Sequence, residues 1–94
     1  MKIEWSRLAL GDREAIFDHI LIDSPRSAVM VDELVSQAVQ ALATFPESSR
    51  PGRVLGTREL VIPRTPYIVA CSVADDVIRV LRVLHGAQIW PVSL

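Results

Sequence analysis

The sequence is poor in the residues that most often announce chemistry. It holds one cysteine, Cys71, and two histidines, His19 and His85. A lone thiol excludes an internal disulfide and suits a reducing compartment, and with so few histidines it offers no metal-ligand spacing. Lying among apolar residues, Cys71 reads as inert core packing, and His19, among acids, as a solvated surface histidine. Glycine-rich phosphate loops and a GxSxG nucleophile are both missing. No metal and no cofactor are therefore expected. No apolar run approaches the length of a membrane span, and MKIEWSRLAL lacks a signal-peptide cleavage pattern, so a cytoplasmic chain without a membrane partner is expected. Lysine occurs once, as Lys2, and the net charge is −1. That balance excludes a general nucleic-acid binder, so direct DNA binding is not expected.

What is present fits one globular domain spanning 1–94. Half of the 94 residues are hydrophobic against 22% charged, enough for a single core and too apolar for disorder. The charge is unevenly spread. Residues 1–47 hold four basic and eight acidic side chains, whereas 48–94 hold six arginines and three acids. The second half is the part suited to an anionic surface.

The organising stretch is Val77 to Pro91, VIRVLRVLHGAQIWP. Its aliphatic, β-branched start is the composition of a strand packed on both faces, ended by His85 and Gly86. Strict alternation would send Arg79 and Arg82 to opposite faces. Each then needs a partner or an opening to solvent, because an unpaired buried guanidinium is costly. Acidic helix residues such as Asp12 and Asp18 are candidate partners.

Upstream, Lys2 to Trp5 reads as a short first strand, with Trp5 covering the core. Ser6 reads as the N-cap of a helix over 7–22 whose apolar face carries Ala9, Ile16 and Ile20. Asp23-Ser24-Pro25 breaks that helix and starts another. The second runs to about Phe45 on a stripe of Ala28, Val31, Val35, Ala38, Leu42 and Phe45. Val29, Leu34 and Val39 lie off that stripe, against the first helix or against a partner chain. So short a connection predicts an antiparallel helical hairpin. Residues 46–53 read as a loop with a basic edge at Arg50 and Arg53. Val54 to Ile62 reads as a strand with Gly56 as a bulge or a point of close approach. A PRTP turn, a strand over Tyr67 to Ala74 and a tight Asp75-Asp76 hairpin lead into the last strand. The expected fold is α+β: a short N-terminal strand, the helical hairpin, then a three-stranded antiparallel meander. The helices cover one face of the sheet and leave the other partly open.

From chemistry alone two functions stand level. Arginines, a histidine and a tyrosine on a sheet could cleave RNA, with His85 as acid or base and Arg79 and Arg82 stabilising the phosphorane. The same set could instead form a surface for a partner protein.

GRVLGTRELVI, TPYIVACSV and VIRVLRVLHGAQIWP closely resemble the C-terminal half of RelE/ParE-type toxins of bacterial type II toxin–antitoxin modules. The KIEWS strand and the helix restart at Ser24-Pro25 agree, so the resemblance covers nearly the whole chain. It implies the same strand–helix–helix–meander fold. It also implies a toxin that arrests growth, of the kind tied to plasmid stabilisation, neutralised by an antitoxin whose C-terminal segment wraps over it. The arginine-bearing face of the sheet and the exposed aliphatics of the second helix call for that segment to be acidic and amphipathic. Ribosome-dependent mRNA-cleaving members of the family carry basic residues across the central strands. Here Glu59 falls at or beside a position of a catalytic arginine, and Gly86 follows His85 where some nucleases hold an aromatic residue. GTREL and the WP ending look more like the ParE branch, which is associated with DNA gyrase inhibition. Gyrase is thus the favoured target, and a ribosome-dependent nuclease or a non-toxic interaction module the alternatives. The target- or antitoxin-binding residues implied are Arg58, Arg79, Arg82, Gln88, Trp90, Leu34 and Val39.

Overall fold

A computed structural model describes residues 1–94. β1 (Lys2–Trp5) ends at Ser6, whose hydroxyl has two tasks. It donates to the Leu81 carbonyl (2.8 Å) and accepts from the Ala9 amide (3.0 Å), closing the strand and capping the helix with one side chain. α1 (Arg7–Leu21) and α2 (Pro25–Leu42) follow, the latter capped by Ser24 with Pro25 in the first turn. The helices form the expected hairpin, cross-linked where Arg13 donates twice to the Asp32 carboxylate (3.0 and 2.8 Å). After a single 3-10 turn at Pro46–Ser48 come β2 (Arg50–Pro51), β3 (Arg58–Val61), β4 (Tyr67–Ala74) and β5 (Val77–His85).

The five strands lie in the order β1-β5-β4-β3-β2. β1 runs parallel to β5, as a strand returning through a helical crossover can, and the other pairs are antiparallel. Both helices cover one face. Ala9, Val35 and Val39 meet Val69, Val80 and Val83 there, and Leu42 meets Cys71 and Ile78 beside them. Fully burying one such valine stabilises the fold by roughly 1.5–3 kcal/mol. No helix is long and apolar enough to cross a membrane.

Several expectations need correction. α2 ends at Leu42, so Phe45 lies beyond it and is exposed. Val39 takes Phe45's place in the core at 1% exposure, and Leu34 packs half-buried against the same cluster. The strand expected over 54–62 is confined to 58–61. Residues 52–57 form a loop closed by Gly52 N–H to the Thr57 carbonyl (2.8 Å). Gly56 turns that loop at φ +81, a left-handed conformation that glycine adopts without a Cβ penalty, with open space around it. The close approach is at Gly52, where a Cβ would collide with the Thr57 hydroxyl.

The bulge lies in β5. Cys71 pairs with Val80 and Ala70 with Arg82, leaving Leu81 as the extra residue. Val80 and Val83, three apart, consequently enter the same core cluster. Arg79 and Arg82 pair with Ser72 and Ala70, which share a face of unbroken β4, so both arginines belong to the outer face.

Candidate functional site

The outer face carries a row of paired residues across four strands: Arg50 with Glu59, Glu59 with Ala70, Ala70 with Arg82. Glu59 is 3% exposed. Its Oε2 accepts from the Arg53 amide (2.7 Å) and Arg53 Nε (3.0 Å). Its Oε1 accepts from Arg53 Nη2 and Arg50 Nη2, both at 3.2 Å. Burial by itself would raise the Glu59 pKa. The bonds from Arg53 and Arg50 outweigh it and hold the carboxyl below its ordinary value of 4.5. At the other end of the row Arg82 grips Asp12 of α1 with both Nε (2.8 Å) and Nη2 (3.0 Å). These bonds push the Arg82 pKa upward and keep the guanidinium charged.

Arg79 is different. It meets only Glu4, its neighbour on β1, at 3.2 Å, and its side chain is 59% exposed. It borders a hollow of about 130 Å³ with Ser72, Ala74, Asp75 and Val77, the open end of the outer face. Arg58 pairs with Cys71 and so faces the helix side. There it donates to the Ser49 hydroxyl (2.7 Å) and carbonyl (2.6 Å), tying β3 to the preceding turn. Cys71 itself is fully buried, and burial pushes its thiol pKa up, with Arg58 pulling weakly the other way.

The far end of β5 is closed by the C-terminal tail. His85 pairs with Tyr67, the rings edge to face at 5.7 Å. His85 Nδ1 accepts from the Ala87 amide (3.0 Å), so the neutral ring carries its proton on Nε2. The His85 amide donates to Gln88 Oε1 (2.8 Å), and its carbonyl accepts from Trp90 Nε1 (3.2 Å). The Arg53 guanidinium stacks 3.8 Å from the Trp90 ring centroid. A matching trio sits on the helix side, where Arg13, held by Asp32, lies 4.7 Å over Trp5.

Of the residues singled out in the sequence, Arg79, Arg82, Gln88, Trp90 and His85 thus lie along β5 and its tail. Arg58 and Leu34 lie toward the helices, and Val39 is core, removed from any surface. The sequence marks Arg53 only as a loop charge, because a place between Glu59 and Trp90 has no periodic signature. Ile89 and Val92 carry no pattern either, yet stand 96% and 97% exposed beside the anchored Trp90.

A helical hairpin on one face of a sheet whose first strand runs parallel to its last is a small α+β architecture shared with a solved toxin–antitoxin structure. A chain of the chromosomal ParDE TA system from P. aeruginosa superposes with a TM-score of 0.82 at 28% identity, covering 90% of this chain and 95% of that one. Y4kP of Sinorhizobium fredii is 41% identical over 90 residues, 96% of this chain and 93% of its own length. Toxin RelE2 of Caulobacter vibrioides is 31% identical over 88 residues, 94% and 98% of the two chains. The family model for the ParE toxin of type II toxin-antitoxin systems, parDE, matches residues 3–90. The chain belongs to the ParE toxin family of type II toxin–antitoxin systems.

Proposed function

We propose that this toxin arrests growth in the bacterial cytoplasm by binding DNA gyrase through β5 and the C-terminal tail, without chemistry of its own. The observation that carries this reading is how fully the groups a nuclease would use are engaged within the fold. Arg82 is held by both oxygens of Asp12, and Arg50 and Arg53 face a buried carboxylate. The one lone pair that neutral His85 could use as a base is occupied by the Ala87 amide. What stays available is docking surface: Arg79, Ile89 and Val92. A few such anchors commonly dominate a protein–protein interface. The test is a supercoiling assay with purified gyrase, run beside a ribosome-dependent mRNA cleavage assay. Loss of supercoiling without cleavage is expected.

One observation favours the ribosome-dependent endoribonuclease reading. The Tyr67 and His85 rings meet at the end of the sheet, where a phenol and an imidazole could share proton transfer. Cleavage by the wild type, abolished in His85→Ala, would establish that reading in place of the first.

The same reading includes neutralisation by a cognate antitoxin. Arg79 on the outer face and the exposed Val29 and Met30 of α2 call for an acidic amphipathic segment with apolar anchors. Such a wrapping segment would bury on the order of 2,000 Å². A complex in which the bound segment is basic, or avoids both surfaces, would count against it.

A further inference from the structure

We infer that Glu59 is a positioning residue for the C-terminal tail, acting through Arg53 to hold Trp90 and thereby present Ile89 and Val92 to the toxin's target. The inference deepens the target-binding reading above and rests on it for the last step only.

The geometry has three links. Glu59 is a nearly inaccessible carboxylate on the outer face, a costly residue to bury without a purpose. Three of its four bonds go to Arg53, and one of those is to the Arg53 backbone amide. The carboxylate therefore fixes both where Arg53 sits in the 52–57 loop and how its guanidinium is turned. With Nε and Nη2 donating in the plane, the flat face of the guanidinium is left for a ring, and Trp90 lies on it. The indole N–H is held by the His85 carbonyl, so Trp90 is gripped at its face and at its edge.

Nothing else of comparable strength holds the tail beyond Gln88. Ile89 and Val92, on either side of Trp90, are almost wholly exposed. Two aliphatic side chains flanking an anchored indole on an ordered tail form an apolar contact offered to a protein partner. A loose tail would have to be ordered on binding, and that entropy would weaken the complex.

Trp90 fluorescence in a Trp5→Phe background reads the latch directly, with acrylamide as quencher. Arg53→Lys keeps the charge facing Glu59 but loses the planar fork. Glu59→Gln removes the charge that orients Arg53. Each is expected to raise the quenching constant of Trp90 by about two-fold or more, as for an indole released from its stack. The double variant should match the single ones, because all three residues act in series. A melting curve for Arg53→Lys close to wild type separates the latch from general loosening. Trp90 quenching unchanged in folded Arg53→Lys would overturn the inference, as would additive effects in the double variant. Growth arrest by the same variants tests the last step. A released tail with undiminished toxicity would overturn the role of the tail in target contact while leaving the Glu59–Arg53–Trp90 latch standing.

Discussion

Asp12 of α1 serves the strand edge that β1 leaves open: its Oδ2 accepts the Val83 amide at 2.9 Å. β1 pairs with β5 only as far as Val80, and Ser6 extends the contact through its amide to the Val80 carbonyl and its hydroxyl to Leu81. The Val83 amide, the next donor of β5 on that edge, would otherwise be unpaired. The helix carboxylate fills that place and grips Arg82 in the same motion. One side chain joins the first helix, the bulged strand and the outer-face arginine.

Replacing it should therefore be costly. Asp12 and Arg82 side chains are only 17% and 24% exposed, so solvent screens the pair little. Asp12→Ala leaves both the Val83 amide and a guanidinium without their partner, and should destabilise by roughly 2–4 kcal/mol. Asp12→Asn keeps an acceptor for Val83 and should lose about half as much. Urea denaturation of both variants, with unchanged slope, checks the order. Equal losses would mean that the acceptor kept for Val83 contributes nothing and that the whole effect lies in the charge facing Arg82.

That relationship was only half legible beforehand. An acidic helix partner for Arg82 follows from the cost of burying charge, and Asp12 was among the candidates. The face on which Arg82 lies was not, because a bulge at Leu81 leaves no mark in a run of aliphatic residues. One extra residue reverses the side of everything beyond it, and strict alternation misassigns Val83 and Arg82 alike. β2 was hidden for another reason. Arg50-Pro51 sits in a stretch rich in turn-formers, and proline is tolerated there because β2 is an edge strand. The length and bounds of β4, the Ser6 and Ser24 caps and the helical hairpin were readable because local chemistry and burial agree there. On α2 the expected stripe continues past the helix end to Phe45 and leaves out Val39, expected against the first helix or a partner chain, although Val39 belongs to the core.

Glu59 predicts how the fold responds to acid. Its folded pKa lies below the value of the unfolded chain, near 4.5. The unfolded state then binds the proton more readily, so the stabilisation is fully present above that pH and is lost as pH falls through the folded value. Its charged neighbours are Arg50 of β2 and Arg53 of the following loop. Glu59→Gln should flatten the decline in melting temperature below about pH 4.5. An identical acid limb in the variant would place the sensitivity in another carboxylate.

The β4–β5 hairpin offers a stabilising change. Asp75 and Asp76 both adopt positive φ, 52 and 63, the pattern of a two-residue turn whose twist matches the strands. Aspartate tolerates that region less well than glycine does. Asp76→Gly removes the strain, although extra freedom in the unfolded chain offsets part of the gain. A net stabilisation of about 0.5 kcal/mol is expected, raising the melting temperature by roughly 2–4 °C. A lower melting temperature would show that the Asp76 side chain has a bonding role.

The functional prediction separates Arg79 and His85 from the arginines that hold the fold together. Arg79 forms one exposed pair with Glu4, and such pairs contribute roughly 0–1 kcal/mol. Arg79→Ala should therefore fold normally, whereas Arg82→Ala should lose stability together with toxicity and is a poor probe of target contact. If β5 and the tail dock on gyrase, Arg79→Ala weakens growth arrest at matched soluble expression, and so does Trp90→Ala. His85→Gln should remain toxic. Its side-chain oxygen can still accept the Ala87 amide, and its backbone bonds to Gln88 and Trp90 do not depend on the ring. A nuclease would behave otherwise, since losing its acid–base group should cost roughly 10²–10⁴ in rate. Growth arrest by each variant, with circular dichroism confirming the fold, decides between them. A well-folded but harmless His85→Gln, alongside mRNA cleavage by the wild type, would replace gyrase docking with ribosome-dependent cleavage.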